Sequence, residues 1–185
     1  MRKIFFAAIL SVLASNLQAA KVELQPLPDE LVQEFTITNY QQCSYERLTI
    51  FFMKIYDAFL CKDDISDLNY DKLFTEKFAL TIKYWRSFSS TQLSNSSLEE
   101  IQRNYVVSEE RAKYIVATLA KIFPDVSRKD QISAVYKPIG VVEFYKNSQP
   151  IGTINDPEFA EQFMNIWLHP KARFVKSRDR LMANK

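Results

Sequence analysis

Seven polar side chains stand inside the most apolar and aromatic stretches of the chain: Arg47, Lys54, Tyr56, Lys83, Tyr84, Arg86 and Tyr136. A mostly apolar pocket with a few polar anchors is what an apolar ligand with one anionic end requires. Arginine gives a carboxylate two parallel hydrogen bonds, a geometry lysine does not copy. The same residues suit an ordinary aromatic core whose tyrosine hydroxyls reach the surface, and composition by itself favours that plainer reading.

Other chemistries are poorly supplied. His169 is the only histidine, and next to Pro170 after an apolar run it reads as a cap or surface residue. Cys43 and Cys61 stand apart without a metal-ligand motif, so no metal site and no cofactor is expected. Gly140 and Gly152 are the only glycines, which excludes a glycine-rich phosphate loop. The acid pairs Asp63/Asp64, Glu99/Glu100 and Glu109/Glu110 read as turn and helix-start residues, because adjacent positions on a helix do not face each other. No catalytic set is identified.

The elements that would position the polar groups follow from periodicity. Residues 21–34 read as an irregular lead-in, Phe35–Thr38 as the start of a β alternation, and Asn39–Glu46 as a turn. Leu48–Leu60, dense in branched and aromatic residues, predicts one long strand buried on both faces. Asp63–Asp71 reads as a turn, and Lys77–Trp85 alternates as a half-buried strand does. Ser97 and Glu100 have the spacing of a capping box, predicting a helix over Leu98–Tyr105, and Ser108 caps a second helix that ends at Pro124. Gln131–Lys137, Val141–Tyr145 and Ile151–Ile154 predict three short strands. Asp156-Pro157 opens a further helix, and a basic one is expected over Phe174–Met182. Strands, helices, strands and helices in this order make an α+β domain, an antiparallel sheet covered on one face by helices.

The N-terminus carries a different message. Arg2 and Lys3, the apolar run Ile4–Ala14 and the small residues ending at Ala19-Ala20 form the three parts of a secretory signal. The run is shorter than the about 20 apolar residues that cross a bilayer, so cleavage is expected rather than anchoring, with no transmembrane segment afterwards. The expected division is therefore a signal over 1–19 and one domain over 20–185, exported, and periplasmic if the source is bacterial. Of 24 basic residues, Arg2 and Lys3 leave with the signal, so 22 remain against 22 acidic and the mature net charge is zero. A general affinity for nucleic acid or for an anionic membrane is not expected of such a chain. In an oxidising compartment a Cys43–Cys61 disulfide is chemically permitted, provided the α-carbons come within about 7 Å.

Several segments together resemble the bacterial, exported members of the chalcone isomerase-like family. They are Phe52–Leu60, Phe78–Trp85, Phe123–Ile132, Tyr136–Gly140, Asn147–Ile154 and Phe159–Leu168, in that order and spacing, within residues 35–182. The resemblance implies a chalcone isomerase-like open-faced sandwich, with a ligand cleft between a large antiparallel sheet and its helices. It also implies an arginine at the start of the long strand facing an anionic oxygen, for which Arg47 is the candidate, with Tyr56 where the plant enzymes have a threonine. The enzymes' tyrosine and asparagine on the following helices have no clear match here. Three roles stay open: a non-catalytic binder of a small apolar or acyl ligand using Arg47, Tyr56 and Tyr84; an envelope interaction protein with a filled core; and an isomerase.

Overall fold

The computed structural model describes residues 43–182. The signal, the lead-in and the strand expected at Phe35–Thr38 lie outside the described residues. Six strands form one antiparallel sheet in sequence order: β1 (Ser44–Ile50), β2 (Met53–Cys61), β3 (Phe78–Tyr84), β4 (Gln131–Lys137), β5 (Val141–Lys146) and β6 (Gln149–Ile154). Among the described residues there are five helices: α1 (Tyr70–Leu73), α2 (Ser90–Asn104), α3 (Glu109–Ile122), α4 (Pro157–Leu168) and α5 (Val175–Met182). This is the expected α+β sandwich. No helix among the described residues is long and apolar enough to cross a membrane.

Two local expectations are corrected. The run Leu48–Leu60 is not one strand, because Phe51 and Phe52 turn the chain with φ of 46° and 63° and make β1 and β2 a hairpin. Ser44–Glu46, expected in a turn, belongs to β1. The second correction concerns the capping box, which is Ser89 with Gln92, not Ser97 with Glu100. Ser97 lies inside α2, where its hydroxyl donates to the Leu93 carbonyl at 2.8 Å. The short α1 falls partly where only a turn was expected.

The core forms between the sheet and the helices. Leu60 on β2, Phe78 and Leu80 on β3, Ile101 on α2, and Ile115 and Leu119 on α3 are fully enclosed. Phe144 on β5 meets the Phe123 and Phe163 rings edge-on at centroid distances of 5.4 and 5.1 Å, a preferred aromatic geometry. At the outer edge α5 lies along β1, where Arg180 grips the Glu46 carboxylate at 2.8 and 2.9 Å and Ser44 Oγ donates to the Leu181 carbonyl. Cys43 and Cys61 are joined by a disulfide, their α-carbons 4.4 Å apart across the open end of the β1–β2 hairpin.

Asp156 starts α4 and also ties it to α3. Its side chain accepts from the Phe159 N–H at 3.0 Å and from both terminal nitrogens of Arg111 at 2.5 and 3.0 Å. The Arg111 guanidinium and the cap bond hold the Asp156 carboxyl below its ordinary value of 3.8. A depressed folded value means that the stabilisation is present above the unfolded value and is lost as pH falls through the folded one. Asp156→Ala is expected to cost about 1–2 kcal/mol at neutral pH, as loss of an N-cap does. In urea titrations across the acid range, the gap between parent and variant should close below the ordinary carboxylate range. A gap that stayed constant to low pH would contradict this role.

Candidate functional site

A cavity of about 300 Å³ lies between the sheet and the helical layer, at the lower end of the about 300–1,000 Å³ usual for small-molecule sites. Its floor is the helix-facing side of the strands, including Ile82 on β3 and Ile132 on β4. Small residues hollow the middle: Ala58 on β2 and Ala134 on β4 lie either side of β3, opposite Ile82 and Leu80 respectively. The roof comes from Leu93 of α2 and from Phe163, Ile166 and Trp167 of α4. Between β1 and β2 the pairing steps from Leu48↔Tyr56 to Thr49↔Lys54, so Ile55 is the extra residue of a bulge. Such an irregularity re-aims side chains, and here Ile55 and Tyr56 both line the cavity.

Tyr56 and Tyr84 face each other across β2 and β3, and both line this cavity. Tyr56 Oη accepts a hydrogen bond from Trp167 Nε1 at 3.1 Å. Among the described residues no acceptor meets the Tyr56 proton, and the Tyr84 hydroxyl makes no hydrogen bond. Tyr84 is only 9 % exposed. Burial pushes both phenols well above the ordinary tyrosine range, so each keeps its proton and remains a donor at any physiological pH. Buried donors are nearly always matched by an acceptor. Two O–H groups at paired strand positions, neither donating to an acceptor among the described residues and both lining the cavity, are therefore equipped to receive a ligand oxygen.

Most of the charged lining is paired, while Glu99, also on the lining, is exposed and forms no salt bridge among the described residues. Glu46 pairs with Arg180, and Glu100 pairs with both Arg103 at 3.0 Å and Arg173 at 2.9 Å. Arg178 donates to the Leu168 carbonyl at 3.0 Å and to Asp179 at 3.1 Å. Arg173 and Arg178 line the cavity together with Ser97 and Ser177.

Arg47 is placed elsewhere. Its neighbours Glu46 and Leu48 line the cavity, and strand alternation turns Arg47 to the opposite side of the sheet. There it forms a two-point pair with Asp57, Nε to Oδ1 at 2.6 Å and Nη2 to Oδ2 at 3.0 Å. Asp57 also accepts from Trp85 Nε1 at 2.8 Å and from the Tyr45 hydroxyl at 3.1 Å. The expected pairing of Arg47 with a ligand in the cleft is thus replaced by an internal ion pair. The arginines at the cavity, Arg173 and Arg178, belong to a C-terminal basic cluster, with Lys171, Lys176 and Arg180, that reads in the sequence as a solvated helix face; their place beside the aromatic Phe174 was the available signal of a different role.

His169 is the C-terminal cap of α4, and its Nδ1 accepts from the Lys171 N–H at 3.0 Å. Burial, with Lys171 and Arg178 nearby, lowers its pKa below the ordinary histidine value. Among the described residues no group of three or more His, Cys, Asp or Glu side chains is placed to hold a metal ion.

The family model described as chalcone isomerase-like matches residues 46–180. In three dimensions the chain is similar to the crystal structure of a fatty-acid binding protein from Arabidopsis thaliana. The TM-score is 0.57 at 10% sequence identity, over 76% of this chain and 84% of that one. Likeness at this identity speaks to the fold. No curated protein matches the chain.

Proposed function

Because this chain belongs to the chalcone isomerase-like family, a fold that carries more than one function, we propose that it is an exported, non-catalytic binder of a small apolar or acyl ligand. The observation that carries this reading is that the Tyr56 and Tyr84 hydroxyls, both lining the cavity, donate to no acceptor among the described residues. An acyl chain would occupy the space over Ala58 and Ala134, and its oxygen would accept from one or both phenols. Arg173 is the cation best placed to meet an acidic head, because Glu100 keeps Arg103 when Arg173 turns away. The fatty-acid binding function of the Arabidopsis neighbour is compatible with this class of ligand. Export is supported by the order of basic, apolar and small residues at the N-terminus and by the paired Cys43 and Cys61.

Tyr84→Phe separates this reading from an ordinary core. Removing a hydroxyl that bonds a ligand should weaken fatty-acid binding about 3- to 10-fold, the equivalent of one net hydrogen bond. Removing the same hydroxyl from the ligand-free protein should leave stability unchanged or slightly raised, since an unmatched buried group disappears. Titration with palmitate followed by Trp167 emission, beside urea unfolding, reads both. Unchanged affinity together with a loss of stability would make Tyr84 a structural residue and remove it from the site.

A further inference from the structure

The two tight hairpin turns of this sheet use very different residues. Both loops have two residues in the left-handed region: Asn147 and Ser148, with φ of 46° and 71°, between β5 and β6, and Phe51 and Phe52, with 46° and 63°, between β1 and β2. Asparagine tolerates this conformation and favours such turns, whereas a bulky side chain there is strained. The strain is not offset by packing, for Phe51 is 87% and Phe52 101% exposed, and Met53 beside them is 46% exposed. Within the folded chain three large apolar side chains thus project into water at one point, at a site where asparagine and glycine would turn the chain more favourably.

The surroundings of this tip carry positive charge. The Trp85 backbone N–H donates to the Ile55 carbonyl at 2.8 Å, which sets Trp85 beside the base of the hairpin tip, and its ring is held by the Nε1 bond to Asp57. Around that ring stand Arg47 at 5.4 Å, Lys54 at 5.5 Å and Arg128 at 5.6 Å from its centroid. Lys54, Arg86, Arg128 and Lys129 are exposed, and Lys129 N–H reaches the Tyr84 carbonyl at 2.8 Å, at this same end of the sheet. Of the acids nearby, Asp57 is paired with Arg47 and Asp130 with Lys146, while Asp125 accepts from the Ser90 N–H and keeps its charge against the four exposed cations. With no net charge expected on the mature chain, this is a local basic collar rather than a general field. The cavity reaches the hairpin as well, since Ile50 and Ile55, on either side of the tip, both line it.

We propose that the β1–β2 tip, Phe51, Phe52 and Met53 with their collar of Lys54, Arg86, Arg128 and Lys129, inserts into the headgroup region of an anionic lipid bilayer. The cavity then exchanges its acyl ligand there, a second step that rests on the ligand reading above. Apolar side chains that enter the interface and cations that meet anionic lipid are the two components of such binding.

The test is co-sedimentation with vesicles of equal parts phosphatidylcholine and phosphatidylglycerol. Phe51→Asn/Phe52→Gly restores the residues that this turn prefers, so the variant should keep its fold and its palmitate affinity in vesicle-free solution, yet partition at least about tenfold less. Lys54→Glu/Arg128→Glu should weaken partitioning to these vesicles by about tenfold or more, and added salt should erase much of that difference. Equal partitioning of parent and Phe51→Asn/Phe52→Gly, or a parent that stays in the supernatant, overturns the proposal. So does a concentration-dependent dimer that the variant abolishes without any vesicle binding, which would assign the tip to a second copy of the chain. A parent that sediments through its tip but takes up no palmitate would defeat the ligand reading while supporting insertion.

Discussion

Asp57→Ala is expected to lower the free energy of unfolding by about 3 kcal/mol. The Asp57 side chain is fully buried and accepts from Arg47 twice, from Trp85 and from Tyr45. Alanine would leave a guanidinium, an indole N–H and a phenol facing the gap without their acceptor. Breaking a fully buried ion pair costs about 3–5 kcal/mol, and the Arg47 side chain keeps 29% exposure, which places the expectation at the lower end. Asp57→Asn, which keeps one acceptor oxygen and the volume, should cost less than Asp57→Ala. Urea unfolding at unchanged slope is the measurement. Because Asp57 faces away from the cavity, ligand affinity should follow stability only where the protein begins to unfold. A loss below about 1 kcal/mol for the alanine variant would show that the cluster is not the anchor described, since losses of that size are ordinary for surface positions.

Breaking the Cys43–Cys61 bond should have a comparable effect. The cysteines are separated by 18 residues, and closing a loop of that length restricts the unfolded chain by about 3 kcal/mol. Reduction, or Cys43→Ser/Cys61→Ser, should therefore lower the midpoint of thermal unfolding by roughly 10 °C for a domain of this size. The residue pair clamps the open end of the same hairpin whose closed end is the Phe51-Phe52 turn, so the edge of the sheet at β1 should show the largest gain in amide exchange. An unchanged midpoint in a protein whose thiols have been shown to be free would contradict the disulfide's role.

The features that came through clearly in the sequence are those set by a single period. Lys77–Trp85 alternates, and β3 occupies Phe78–Tyr84, although it is buried on both faces, Thr81 and Lys83 included, and not half-buried as expected; Asp156-Pro157 marks a helix start, and α4 begins at Pro157. Leu48–Leu60 concealed a hairpin because its turn contains none of the glycine, asparagine, aspartate or proline that usually marks one. Alternation separates Arg47 from its neighbours in β1, but it does not say which side of a sheet the helices cover. That side is decided by helices α2 and α4, far along the chain, and by α5. The same long-range packing brings Trp167 to Tyr56 across 111 positions. A cavity is still harder to read, since Ala58 and Ala134 look like ordinary strand residues until the sheet brings both beside β3. The false capping box at Ser97 arose because Ser-x-x-Glu also fits a helix interior, where the serine hydroxyl bonds backward to a carbonyl.

The claim at the centre of this account is that the space over Tyr56 and Tyr84 holds an acyl or similarly apolar ligand. Native mass spectrometry of the protein purified from its own compartment, before and after addition of palmitate, tests it most directly. One bound molecule per chain, released on mild denaturation and recovered as an acyl or aromatic acid, is the predicted result. A folded protein that carries nothing and still takes up no palmitate at saturating concentration would contradict the claim.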